Sequence, residues 1–194
     1  MYTEHTFDIP ELKGISQQNI KEHLKLYSGY VKNTNKILEA ISNADDHDAY
    51  ALAEMQRRLS FEFNGMRNHE YYFKSLEGGA TELDAESALA QAITQEWGSF
   101  DAWIDRIKTI AKTRGVGWAI LYYDREADKL VNGWVDEQHV GHLNGLQYIV
   151  GIDMWEHAFV AYYQPSGKGD YIDDYFTNLN WSVPAEIFDA VQQS

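Results

Sequence analysis

The sequence contains no cysteine. That excludes disulfides, thiolate metal sites, iron–sulfur clusters and a cysteine nucleophile. It leaves histidine and carboxylate as the strong metal ligands, so any bound metal sits in a hard nitrogen and oxygen site. The N-terminal stretch lacks a basic start followed by an apolar run, and no segment approaches the roughly eighteen uninterrupted apolar residues of a membrane span. A soluble, cytoplasmic protein with no membrane partner is therefore expected. Basic residues are few: 16 Lys and Arg stand against 30 Asp and Glu, a formal net charge of −14. Phosphate binding needs a basic face, so nucleic acid is excluded as a partner. A small anionic substrate is not, because salt screens fields beyond about 10 Å and a local basic rim suffices to draw it in. Internal repeats and low-complexity tracts are also lacking.

At 194 residues the chain can fold as one domain or two small lobes with a sizeable core. Its character changes at Leu76-Glu77-Gly78-Gly79-Ala80-Thr81. Before that break, Ile20, Leu24, Tyr27 and Val31 recur at helical spacing behind the potential N-cap Ser16, predicting a helix over 17–40. Asn43-Ala44-Asp45-Asp46 reads as a turn, and Leu52, Met55, Leu59, Phe63 and Met66 mark a second helix running towards Tyr72. After the break, Asp84 and Ser99 are N-cap candidates for helices over 85–96 and 100–113, the latter ended by Gly115. Trp118 to Tyr123 and Lys129 to Val135, joined by Asp124-Arg125-Glu126-Ala127-Asp128, read as a β-hairpin, with a third strand over Leu146 to Ile152. Helical patterning returns over Met154 to Tyr163 and Asp170 to Phe176, and Pro184 opens a last short helix. The expected fold class is α+β: an N-terminal helical hairpin lobe over 1–80, then a C-terminal lobe over 81–194 with a small three-stranded antiparallel sheet and surrounding helices.

The densest chemical constellation is Asp153-Met154-Trp155-Glu156-His157, directly after the third strand. On a helix, Asp153 and His157 would share a face and suit one ion, although the same spacing occurs on ordinary solvated helices. His69 lies among aromatics near the end of the second helix, where a hydrogen-bonded core histidine is the usual finding. His23 shares a helix face with Tyr27 and Tyr30, and an interfacial histidine would look the same.

Taken together, Phe61-Glu62-Phe63-Asn64, Asn68-His69, Gly115-Val116-Gly117-Trp118, Asp153-Met154-Trp155-Glu156-His157-Ala158 and Asn180-Trp181 resemble, in order and approximate spacing, the iron/manganese superoxide dismutase family. The resemblance covers essentially the whole chain. It implies that His23, His69, Asp153 and His157 bind one iron or manganese ion per subunit, between the lobes, with a water or hydroxide as fifth ligand. It also implies that Tyr30 is the gateway tyrosine at the channel mouth and that Trp118 and Trp155 are apolar walls. Glu156 would reach across a homodimer, which could itself pair into a tetramer, to the partner's ligand histidine.

The chain departs from the family in places. Where the family has H-x-x-x-H-H-x-x-Y-V, this chain runs from His23 to Tyr30-Val31 one residue shorter and without the second histidine. A spacing of seven still returns to nearly the same helix face. Val160 stands where the family often has tyrosine, which removes a member of the relay to the gateway tyrosine. Many relatives hydrogen-bond the metal-bound solvent with a glutamine four residues before the second ligand, and Gly65 rules that out here. His142, eleven residues before Asp153 as in archaeal-type relatives, is favoured for that bond over Gln138, which is one residue out of step, and over His139.

The implied reaction is superoxide dismutation: one superoxide is oxidised to dioxygen and a second, with two protons, is reduced to hydrogen peroxide. Lys25, Lys32, Arg67 and Lys168 are candidates for a basic rim, each with an ordinary surface role as the alternative. Two rival readings stand beside this one. The first is a degenerate relative kept as a structural or interaction module. The second is a non-haem metal hydrolase or oxygenase, which zinc content or dependence on a 2-oxo acid would reveal.

Overall fold

A computed structural model describes residues 1–44 and 48–193. Ser16 caps the first helix, α1 (Gln17–Ser42), by accepting the Asn19 amide, which satisfies one of the unpaired N–H groups of a helix start. His23, Tyr27 and Val31 follow one another at one-turn spacing on its buried face. Asp48 caps α2 (Ala49–Lys74) by accepting from the Ala51 amide, and α1 and α2 pack as a hairpin. Of the turn expected over Asn43 to Asp46, Asp45 and Asp46 lie outside the described residues.

Two shorter helices follow, α3 (Ala88–Trp97) and α4 (Phe100–Ala111). Ser99 caps α4 as expected, but the helix ends before Gly115. Asp84 does not cap α3. Ser87 does, accepting from the Ala90 amide, while the Asp84 carboxylate accepts from the Glu86 amide in the preceding turn. A short acidic side chain that bonds two residues onward competes with a helix start.

The sheet comprises β1 (Gly117–Asp124), β2 (Lys129–Asp136) and β3 (Gln147–Asp153), antiparallel in the order β2-β1-β3. β1 is buried from Gly117 to Tyr123. With α4 packed on β1, α2 on β3 and α3 on β2, the central strand is apolar on both faces rather than alternating. Its register sets Trp118 opposite Asp153.

Beyond β3 the helical reading of Met154 to Tyr163 fails, and a single 3-10 turn forms over Glu156–Ala158. Asp153 Oδ1 accepts the Trp155 amide at 2.8 Å, so the aspartate ends a strand and turns the chain instead of starting an α-helix. The chain closes with α5 (Lys168–Asn178) and α6 (Ser182–Gln192), with Pro184 in the first turn of α6. Among the described residues no helix is long and apolar enough to cross a membrane.

Candidate metal centre

Four separate elements deliver one side chain each to a common point. His23 comes from α1, His69 from α2, Asp153 from the end of β3 and His157 from the 3-10 turn, and their ligand atoms lie within 4.8 Å of one another. The first three are fully buried and the His157 side chain is 20% exposed. Three imidazole Nε2 atoms face one carboxylate oxygen: Asp153 Oδ2 is 3.1 Å from His23, 3.2 Å from His157 and 3.5 Å from His69. With Oδ1 held by the Trp155 amide, the carboxylate cannot rotate freely. Bonds of about 2.0–2.2 Å from a first-row ion to imidazole or carboxylate give neighbouring ligand atoms separations of about 3–4 Å.

The protonation states also suit a cation. His69 Nδ1 is 2.6 Å from the Gly65 carbonyl. A carbonyl only accepts, so Nδ1 carries the hydrogen. Burial, with the neighbouring His23 adding to it, lowers the His69 pKa to about 3, so the ring is neutral and Nε2 bears a lone pair. That atom is buried without a hydrogen-bond partner and points at an anionic oxygen. Burial alone would raise the Asp153 carboxyl, but attraction to His157 and hydrogen bonds from His157 and His23 hold it well below the usual carboxylate range. Burial likewise lowers His23, against the opposing pull of Asp153. A lone pair facing a carboxylate in a buried site is repulsive until a cation lies between them. His23 Nδ1 and Asn19 Oδ1, one helical turn apart, are also buried without partners.

Aromatic rings close the site. Trp118 meets His69 edge-on at 5.1 Å and Trp155 stacks on His157 at 5.5 Å. The Tyr30 ring is 5.0 Å from His69, so the spacing of seven does carry it to the side of α1 that faces the cluster. Burial, then Asp153 and Glu62, raise the Tyr30 hydroxyl and keep it protonated. Gly65 is required there, because a Cβ on it would lie 2.5 Å from Tyr30 Cδ1.

Gln138 is fully buried. Trp118 Nε1, which only donates, bonds its Oε1 at 2.9 Å, and its Nε2 donates to the Tyr30 hydroxyl at 3.0 Å; the indole thereby fixes which way the amide points. Both ring nitrogens of His142, the residue expected to bond solvent at the centre, are engaged, Nδ1 with the Tyr122 hydroxyl at 2.8 Å and Nε2 with the Gln138 carbonyl at 3.2 Å. His139 meets the Phe61 ring edge-on at 5.6 Å.

Sequence reasoning gave no role to Asn68, whose side chain bonds the Gln138 carbonyl at 3.1 Å. An amide beside a histidine on an aromatic helix face was the available signal. Among the cations expected at a rim, Lys25 pairs with Glu22 and Arg67 with Glu70, while Lys168 donates to the Thr113 carbonyl. Arg58, not expected there, pairs with Glu62 and lies 3.9 Å over the Phe61 ring, itself 6.1 Å from that of Tyr30. Glu156 is exposed beside His157, and Val160 is 41% exposed.

The chain is also similar to known proteins over most of its length. Residues 9–77 match the alpha-hairpin domain of iron/manganese superoxide dismutases and residues 85–186 match their C-terminal domain. The iron superoxide dismutase of Aquifex pyrophilus is 34% identical over 191 residues, covering 94% of this chain and 88% of that protein. The manganese superoxide dismutase of Nocardia asteroides is 33% identical over 183 residues, covering 92% and 86%. Manganese superoxide dismutase 2 of Haloferax volcanii is 30% identical over 179 residues, covering 90% and 87%. With both domains matched in order along one chain, and relatives covered over most of their length, this protein belongs to the iron/manganese superoxide dismutase family.

Proposed function

We propose that this chain, a superoxide dismutase using iron or manganese, holds its single ion through His23, His69, Asp153 and His157. The observation that carries the assignment is the bare, buried Nε2 of His69 facing Asp153 Oδ2 at 3.5 Å, an arrangement that a cation resolves. When bound, the ion supplies the one-electron couple by which one superoxide leaves as dioxygen and a second takes an electron and two protons to leave as hydrogen peroxide. The chain's own groups do the rest. Trp118 and Trp155 exclude water, which strengthens every interaction inside. Tyr30, kept protonated, offers a proton donor at the mouth. Gln138 gives one amide hydrogen to Tyr30 and has a second free for solvent at the centre, which favours Gln138 over His142 as the group that sets the potential.

Asp153→Ala and His69→Ala should lose metal and superoxide consumption together. Wild-type turnover in Asp153→Ala at full metal occupancy would falsify the ligand assignment. The hydrolase, oxygenase and inactive-module readings are not favoured, since the matched domains and the relatives all bear superoxide dismutase names.

The minimum unit we propose is a homodimer. Exposed Glu156, next to His157 on the 3-10 turn, is positioned to accept a hydrogen bond from a partner's copy of that histidine. The two lobes, 1–80 and 81–194, are proposed to meet at the metal, and the cytoplasm is the proposed location, to be checked by cell fractionation.

A further inference from the structure

We infer that His142 is a positioning residue for Gln138 and that Tyr122 anchors its imidazole in the orientation in which it works; this rests on the reading of Gln138 as the partner of solvent at the centre.

Gln138 has to hold a short amide between two fixed groups, the Trp118 indole and the Tyr30 hydroxyl, yet it lies in a loop after β2. The backbone around it is pinned from several sides. Glu137 adopts a left-handed φ of 52°, a conformation that side chains other than glycine, asparagine and aspartate seldom take and that persists where surroundings enforce it. Its amide donates to the Val116 carbonyl at 3.0 Å, and its carbonyl accepts the Trp155 indole at 3.0 Å. The Gln138 carbonyl accepts from Asn68 Nδ2 at 3.1 Å and lies 3.2 Å from His142 Nε2. Two donors saturate its two lone pairs.

The His142 contact carries its own tautomer. Because the carbonyl only accepts, Nε2 must hold the hydrogen. The ring is neutral, since burial lowers its pKa, so Nδ1 bears a lone pair and the Tyr122 hydroxyl donates to it at 2.8 Å. Tyr122 stands on the central, buried strand. Gly141, with φ 96°, turns the chain so that His142 comes back onto the carbonyl of the residue four before it, and the Asp136–Val140 bridge closes the base of that turn. A rigid strand is thus connected, through hydroxyl, imidazole and carbonyl, to the backbone of the amide. Outer groups that orient a functional side chain in this way tune it without touching the centre.

The test is a set of metal-loaded variants in which reduction potential and visible absorption are measured beside turnover. Gln138→Ala should shift the potential. His142→Ala should shift it in the same direction by less and lower turnover by about 3- to 10-fold, at or below the lower end of the roughly 10- to 100-fold losses typical of outer-shell partners. His142→Gln, whose amide can donate to the same carbonyl, should recover most of the potential. Tyr122→Phe removes one oxygen and should fall between the native protein and His142→Ala, which keeps the idea testable if His142→Ala folds poorly. In a Gln138→Ala background, His142→Ala should add nothing to the potential shift, because its action passes through that side chain. A native potential in both His142→Ala and Tyr122→Phe, with Gln138→Ala shifted, would overturn the positioning role alone. So would fully additive shifts in the double variant. A native potential in Gln138→Ala would instead remove the underlying reading of Gln138, and this proposal with it.

Discussion

Gly65→Ala is expected to damage the site although it adds a single methyl group to a helix that ordinarily prefers alanine. The new Cβ would lie 2.5, 2.7 and 2.9 Å from Tyr30 Cδ1, Cε1 and Cγ. Restoring van der Waals contact requires the ring to retreat by about 1 Å. Its hydroxyl is held at 3.0 Å by Gln138, so a retreat of that size breaks or bends the bond. Overpacking costs about 1–3 kcal/mol and the lost hydrogen bond about 0.5–1.5 kcal/mol. Replacing glycine in a helix interior returns about 0.5–1 kcal/mol. The net is a destabilisation of roughly 0.5–4 kcal/mol, read by thermal or denaturant unfolding of the metal-loaded protein, with slower superoxide decay in stopped flow. The sign should reverse when the ring is removed: in a Tyr30→Ala background, Gly65→Ala should stabilise by about 0.5–1 kcal/mol. If Gly65→Ala stabilises equally in both backgrounds, the ring does not occupy the space above Gly65 and the steric reasoning is wrong.

Asp153→Asn keeps the volume but removes the charge that attracts a cation; metal content by elemental analysis should fall steeply while the fold, followed by circular dichroism, persists. The metal-free protein should lose stability as pH falls from about 6.5 towards 3, because the folded His69 pKa of about 3 lies below its unfolded value. The unfolded state then binds the extra proton, and the slope for this one group approaches about 1.4 kcal/mol per pH unit; unfolding that is flat across that window would contradict a neutral, buried His69. Glu156→Ala should shift light-scattering mass towards the monomer at micromolar concentration, and an unaltered, active dimer would remove Glu156 from the interface.

Much of this protein is written locally. Ser16 and Ser99 cap helices where they stand, because a capping bond reaches only three residues along the chain. The continuous apolar run from Trp118 to Tyr123 announced a buried strand, and the next run its hairpin partner. His23, His69, Asp153 and His157 came to notice through the resemblance of several ordered motifs to a known family, a ligand set that the cysteine-free composition permits but does not select. What depended on the tertiary structure was orientation. Asp153 ends a strand rather than starting a helix, because β3 pairs with β1 as far as the Trp118–Asp153 position. His69 turns its bare Nε2 towards an anionic oxygen only because the end of β3 brings Asp153 Oδ2 to within 3.5 Å of it. Where Gln138 and His142 point depends on the loop that carries them, which bends at Glu137 and Gly141 and is tied to α2 and β1 by Asn68 and Tyr122. Spacing along a chain measures contour length, whereas hydrogen bonds from distant elements set where a side chain of that chain finally points.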